Sequence, residues 1–275
     1  MKNYIILFIL FLATTTFAQE SIEVKVKNQF SSMGTQPAFE MMVPQSNAKD
    51  AIDLFKKRLS PDGLFKKSVK VEKIKDEYHI KDVVIGNISS QLMNIIIQVS
   101  EYPGNINLMF FLQSGNGFIG ADSLTQKATD AALIYFRSFA VDLYELAVEK
   151  ELKEEEKVLK SLENDLKKLE KSNKKYDSKI SDAKQESKEL RELTESQQEQ
   201  LTKSIEMGNL SEATDAEMKK QLKSDIKDLK KAQKAQQRYE KKTNKNINSQ
   251  TKKAEEIEAQ QEKIKQIKIK LENIK

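Results

Sequence analysis

In the stretch "SGNGFIGADS", Gly115, Gly117 and Gly120 stand at the spacing G-x-G-x-x-G, after an apolar run and before a long helix-like segment. Glycines so placed let a backbone close tightly around a dinucleotide pyrophosphate. That chemistry needs them at the first turn of a βαβ unit, with an acidic residue about 20 positions on. Here the preceding strand closes a hairpin, no parallel strand follows, and the chain at Ala140 to Asp142 is still inside a helical pattern. The expectation is a strand-to-helix connection, without a bound cofactor.

The remaining reactive groups are sparse. His79 is the one histidine; between Tyr78 and Ile80 in a strand, it is expected to point away from their face into solvent. With no cysteine and no second histidine, an ordinary zinc site lacks its ligands, and nothing near His79 suggests a nucleophile for it to activate. The run Glu154-Glu155-Glu156 reads as a solvated helix face. No catalytic, cofactor-binding or metal-binding residue is assigned, and the expectation is a protein without enzymatic activity.

The elements around these residues are more legible than the chemistry. The chain opens with "MKNYIILFILFLATTTFAQE", in which Lys2 precedes an apolar run from Tyr4 to Ala13 and small residues lead to Ala18. This order predicts a secretory signal peptide over residues 1–18, cleaved before Gln19. Its apolar run is too short to span a membrane, which takes roughly 20 residues, and without cysteine it carries no lipid anchor. No later segment is apolar enough to span, so the expectation is a soluble exported chain, periplasmic or extracellular, that folds without disulfides.

Glycine and proline divide the rest. All four prolines and seven of the eight glycines lie at or before Gly120; beyond it the sole breaker is Gly208. Because Pro costs about 3 kcal/mol and Gly about 1 kcal/mol inside a helix, their absence permits very long helices. Residues 19–148 are therefore read as an α+β head and residues 149–275 as a helical hairpin with its loop near 204–213.

In the head, "SIEVKVK" alternates Ile22, Val24 and Val26 against Glu23, Lys25 and Lys27, the period of a half-buried strand. Further strands are expected at 38–43, 68–74, 78–85, 92–102 and 106–113. The last two flank Pro103-Gly104-Asn105 as an antiparallel hairpin. Asn47 or Ser46 can cap a helix whose apolar positions are Ala48, Ala51, Ile52, Phe55 and Leu59, ending at Pro61-Asp62-Gly63. Ser123 with Gln126 forms a capping box for the next helix, whose stripe is Leu124, Ala128, Ala131, Tyr135, Phe139 and Leu143. The fold class expected is a two-layer antiparallel sheet with helices on one face.

From Val148 the apolar residues follow steps of three and four: Leu152, Leu159, Leu162, Leu166, Leu169, Tyr176, Ile180, Ala183 and Leu190, interrupted by Asn173, Ser187 and Thr194. A second series, Leu222, Leu229, Ile257, Ile264 and Leu271 with Ile226, Ile247 and Ala254 beside it, repeats at multiples of seven. This is coiled-coil spacing with a weak seam. Gly208 and Asn209 tolerate a left-handed turn between the arms, and Thr214 with Glu217 offers a cap for the second.

Residues 145–215 hold 14 Lys plus Arg against 19 Asp plus Glu, a net of −5; residues 216–275 hold 18 against 9, a net of +9. Opposite signs favour pairing the arms with each other over a parallel homodimer. Equal counting from Gly208 sets Lys275 opposite Val141, so the C-terminus returns to the head, and the hairpin would project about 80 to 100 Å at about 1.5 Å per residue. "TNKNINSQT" (243–251), rich in poor helix formers, is expected to kink the return arm.

The tail "KIKQIKIKLENIK" reads first as packed helix. A membrane-surface contact through Ile264, Ile267, Leu271 and Ile274, or a terminal strand on the alternation of Ile267, Ile269 and Leu271, are the other readings. Nucleic acid is set aside, because the excess charge is only +5, acids are interspersed, and no aromatics are interleaved with the lysines.

The Lys-, Ile- and Asn-rich composition and the "TFAQ" junction resemble exported proteins of the Bacteroidota. A leader, a basic chain, a small β-containing body and helical arms resemble the plan of periplasmic chaperones of the Skp/OmpH type, although here the whole head precedes the hairpin. The resemblance implies an interaction role with other envelope proteins as partners. The alternative is a head that binds a small ligand or the cell wall and is held out on a helical stalk.

Overall fold

A computed structural model of the chain describes residues 22–60, 69–115, 117–121, 125–206 and 212–274. The proposed leader, Pro61-Asp62-Gly63, Ser123 and the Gly208-Asn209 turn lie outside the described residues. Seven strands form one sheet: β1 Val24–Ser31, β2 Gly34–Pro44, β3 Glu72–Ile74, β4 Glu77–Val83, β5 Met93–Tyr102, β6 Asn105–Ser114 and β7 Gly117–Phe118. The helices are α1 (Ala48–Leu59), α2 (Gln126–Glu206) and α3 (Glu212–Asn273). The fold is α+β with a long antiparallel helical hairpin.

Every pairing in the described sheet is antiparallel, in the order β1-β2-β6-β5-β4-β3. The β5–β6 hairpin closes at Tyr102↔Asn105, where Gly104 takes a φ of 80°. β2 pairs with β6 only from Phe39 to Pro44, while its ladder with β1 runs on to Ser31↔Gly34. The tip of the β1–β2 ribbon therefore leaves β6, and β7 pairs there instead, through Gln113↔Phe118.

One face of the sheet is covered by α1 and the first turns of α2. Asn47 is the cap of α1, its side chain accepting from the Asp50 amide at 2.9 Å, while Ser46 bonds the Pro44 carbonyl instead. Phe55 of α1 meets Phe110 at 4.8 Å and Phe139 at 5.4 Å between ring centroids, and Phe110 meets Phe136 at 4.5 Å. These rings fill the layer between sheet and helices. The buried stripe of α2 is Ala132, Phe136, Phe139, Ala140 and Leu143; Ala128, Ala131 and Tyr135, expected at its centre, are half-buried at its flank. The stripe is rotated because Phe136 takes the space above Phe39 and Phe110. Leu124 lies outside the described residues.

The opposite face has its own smaller cluster: Ala38, Ile96, Phe111 and Phe118, with Met109 at its margin. The ribbon and β7 supply Ala38 and Phe118, so tertiary folding of the sheet's own edge covers this patch of the face.

The chain divides into two compact units. One runs to Glu154 and takes in the chain from Ile264 onward; the other is Glu155–Lys263. In the first unit Val148, Ile264 and Ile267 are buried, and the Lys270 ammonium lies 5.4 Å from the Tyr144 ring centroid and 3.7 Å from Glu151. The C-terminal segment thus belongs with the head, and it is helical through Asn273, not a terminal strand. Its apolar stripe is used in packing. No helix among the described residues is long and apolar enough to cross a membrane.

Candidate functional site

The glycine stretch resolves into a turn and a close contact. Gly115, with a φ of 59°, follows the end of β6, and Ser114 pairs with Gly117 to begin β7. Gly120 has a φ of 100°, and a Cβ there would stand 3.2 Å from Val26 and 3.3 Å from Pro37. Chain reversal accounts for the first glycine and packing against the β1–β2 ribbon for the third.

That ribbon builds the most organised polar cluster of the head. Glu77, at the start of β4, is buried. It accepts from the Ser32 amide at 2.9 Å, the Ser32 hydroxyl at 2.5 Å and the Gln98 amide at 2.9 Å. Gln98 also donates to the Phe30 carbonyl at 2.9 Å. His79 Nε2 lies 3.1 Å from Glu77 Oε2. Burial by itself would raise the Glu77 carboxyl, but the Ser32 hydroxyl, the Gln98 amide and the Ser32 backbone amide outweigh it and hold the group below the usual carboxylate range.

The Ser32 hydroxyl and the His79 ring both bond to the carboxylate and not to each other. The geometry is that of a clamp holding the β1–β2 turn onto β4 and β5, not of a base beside a nucleophile. His79, expected in solvent, has a side chain only 16% exposed, beside the buried Glu77 carboxylate. Glu77 and Ser32 carried no sequence signal: 45 residues separate them.

A second feature is a groove of about 550 Å³ lined by Lys25, Lys27, Glu40, Met42, Asn105 and Asn107 among others. Glu40 is bonded by Lys27 at 2.5 Å and by Asn107 at 3.0 Å; these two bonds hold its carboxyl below the usual range. Between the sheet and α1, where a ligand-binding head would be expected to hold its pocket, the space is instead packed with Phe55, Phe110 and Phe139.

The third feature is the seam of the hairpin in the unit Glu155–Lys263. Leu159, Leu162, Leu166, Leu169 and Ile180 of α2 and Leu222, Leu229 and Ile257 of α3 are half-buried along it, with Ala183 and Ala232 buried. In the head unit, Ile264 is buried and Leu271 half-buried at the same heptad position. Tyr176 stacks on Tyr239 at 6.4 Å, Asn246 donates to the Leu169 carbonyl at 3.1 Å, and Gln260 to the Glu155 carbonyl at 3.0 Å. Each pair is nearly equidistant from position 208, so the arms are antiparallel and in the expected register. The Lys263–Glu155 ion pair, 2.6 Å, joins the arms, whereas Lys168–Asp165 and Lys231–Asp228 stay within one.

Two expectations change here. The second seam position of α3 is held by Asp225, Ala232, Tyr239, Asn246 and Gln260, not by Ile226, Ile247 and Ala254; Ile247 and Ala254 are exposed. Asp225 can occupy it because Gln197 and Gln221 donate to its carboxylate at 2.9 and 3.0 Å. α3 begins at Glu212, so Thr214 lies in its first turn and is not its cap. Residues 243–251 lie within α3, where Asn246 is buried and bonded to the other arm.

The seam is incompletely satisfied. Among the described residues, Asn173 Oδ1, Ser187 Oγ, Gln197 Oε1 and Thr243 Oγ1 are shielded from solvent without a hydrogen-bond partner, and all four sit at heptad positions of the hairpin. No protein-family model, curated protein or solved structure matches this chain.

Proposed function

We propose that this is a non-enzymatic exported protein, periplasmic or extracellular, whose helical hairpin works as a scaffold, spacer or client-binding arm for other envelope proteins. The observation that carries this reading is the polar seam. Asn173, Ser187, Gln197 and Thr243 occupy heptad positions where apolar residues would bury more surface, and polar residues at such positions fix register at a cost in pairing strength. A seam so built pairs the arms in register while leaving them little reserve of stability, which suits a surface that rearranges around a partner.

The test is affinity capture from envelope extract with the full chain and with a version lacking residues 155–263. Partners retained only by the full chain support the arm; a head that retains every partner overturns it. The groove at Lys25, Lys27, Glu40 and Asn107 favours the second reading, a head that binds a small polar ligand or cell-wall fragment. In that case soluble glycan fragments shift the amide resonances of Lys27 and Asn107, and the version lacking residues 155–263 binds them equally well.

A further inference from the structure

Two turns of the head carry large apolar side chains into solvent. In the β1–β2 turn, Phe30 is 76% and Met33 48% exposed; at the β3–β4 turn, Ile74 is 47% exposed. Single exposed apolar residues are ordinary, but these three are brought to one place. Ile74 pairs directly with Glu77, and the Glu77 carboxylate holds Ser32, next to Met33 and two residues from Phe30, by two hydrogen bonds. Gln98 fixes the Phe30 carbonyl from the neighbouring strand. The clamp commits three hydrogen bonds of a buried carboxylate and ties the β1–β2 turn, with its exposed apolar side chains, to β4.

The charges around the tips decide what they suit. Lys73 and Lys75 flank Ile74 on both sides and are exposed, with the Lys73 ammonium 5.2 Å from the Tyr78 ring centroid. Of the acids close in sequence, Glu72 is paired with Lys70 at 2.7 Å and Asp76 stands alone in the turn itself. Convex apolar tips need a concave pocket on a protein partner but no preformed shape in a bilayer. Lysines at the level of the tips add attraction to anionic headgroups, which salt weakens.

We propose that this end of the sheet, with Phe30, Met33 and Ile74 as inserting side chains and Lys73 and Lys75 as headgroup contacts, docks on an anionic lipid bilayer. The inference does not depend on the hairpin's role.

The test is co-sedimentation of the chain, without residues 1–18, with vesicles of phosphatidylcholine alone and of phosphatidylcholine with 30% phosphatidylglycerol, at low and high salt. Binding is expected to the anionic vesicles and to weaken with salt. F30S/M33S/I74S should lower the partition coefficient at least tenfold, and K73E/K75E about fivefold on anionic vesicles only. Far-ultraviolet dichroism and melting of each variant establish that the fold is kept. Absence of binding by the parent chain, or undiminished binding by the folded triple variant, overturns the proposal. So does loss of a captured protein by the triple variant with vesicle binding unchanged, which assigns the tips to a protein partner.

Discussion

The head and the hairpin bury their chains by opposite means. In the head, Phe39, Phe55, Phe110, Phe136 and Phe139 are fully buried, and the polar group placed among the strands, Glu77, has every bond it needs from Ser32 and Gln98. In the hairpin the leucines are half-buried, Tyr176, Tyr239, Asn246 and Gln260 take part in the contacts between the arms, and four shielded polar atoms lack partners. Two helices alone have only one seam in which to exclude water, whereas a sheet covered by helices has a whole face. The difference shows that regular heptad spacing sets register in this chain without setting strong pairing.

The contrast can be broken first in the head. Phe110→Ala removes a ring from the centre of the aromatic layer and should cost about 3–5 kcal/mol, read as a large drop in the melting transition of the head. Leu166→Ala, half-buried in the seam, should cost well under half of that; equal losses would mean the seam is as dry as the core.

Glu77→Ala comes next, at about 1–3 kcal/mol from the abandoned Ser32 and Gln98 donors, measured by urea denaturation. Because the folded carboxyl lies below its ordinary value of 4.5, its contribution is complete above that pH. It fades as the pH falls through the lowered folded value, where the unfolded chain has already taken up its proton. Acid titration of stability should therefore be shallower in Glu77→Gln than in the parent; identical profiles would remove Glu77 from the clamp.

In the seam the sign reverses. Replacing Asn173 and Thr243 together by Leu should stabilise the hairpin by about 1–2 kcal/mol, because two shielded atoms without partners are removed. Hydrogen exchange of the arms should slow, and capture of partners should fall if adaptability serves it. The smallest effect is expected from Lys263→Ala. Its pair with Glu155 is partly exposed, and such pairs contribute at most about 1 kcal/mol, less at high salt.

Much of the hairpin could be read from residues alone. Leu159, Leu162, Leu166, Leu169 and Ile180 fall on the seam as their spacing required, and the register follows from counting back from Gly208. The choice between Asp225 and Ile226 could not be read, since both lie one helical step from Leu222. Hydropathy favours the isoleucine; the bond that Gln197 of the other arm donates to Asp225 reverses that preference, and it exists only once the arms are paired. In the head β1, β2, β4, β5, β6 and the Asn47 cap were legible from alternation and cap chemistry, whereas the strand expected over 68–74 is confined to Glu72–Ile74 and β7 carried no signal. The rotation of the α2 stripe onto Phe136 was not, because it depends on which rings of the sheet stand beneath it.

The sequence by itself determined the change from strands to long helices after Gly120, the antiparallel β5–β6 hairpin and the pairing of the helices, because backbone propensity and apolar period are local quantities. Only the tertiary structure decided that the β1–β2 ribbon leaves β6, that Ser32 meets Glu77 across 45 residues, and that His79 is sheltered. It also decided that Gly120 must remain glycine beneath Val26 and Pro37. Each depends on which surfaces come to face one another when the sheet closes on its own edge, and no single segment carries that information.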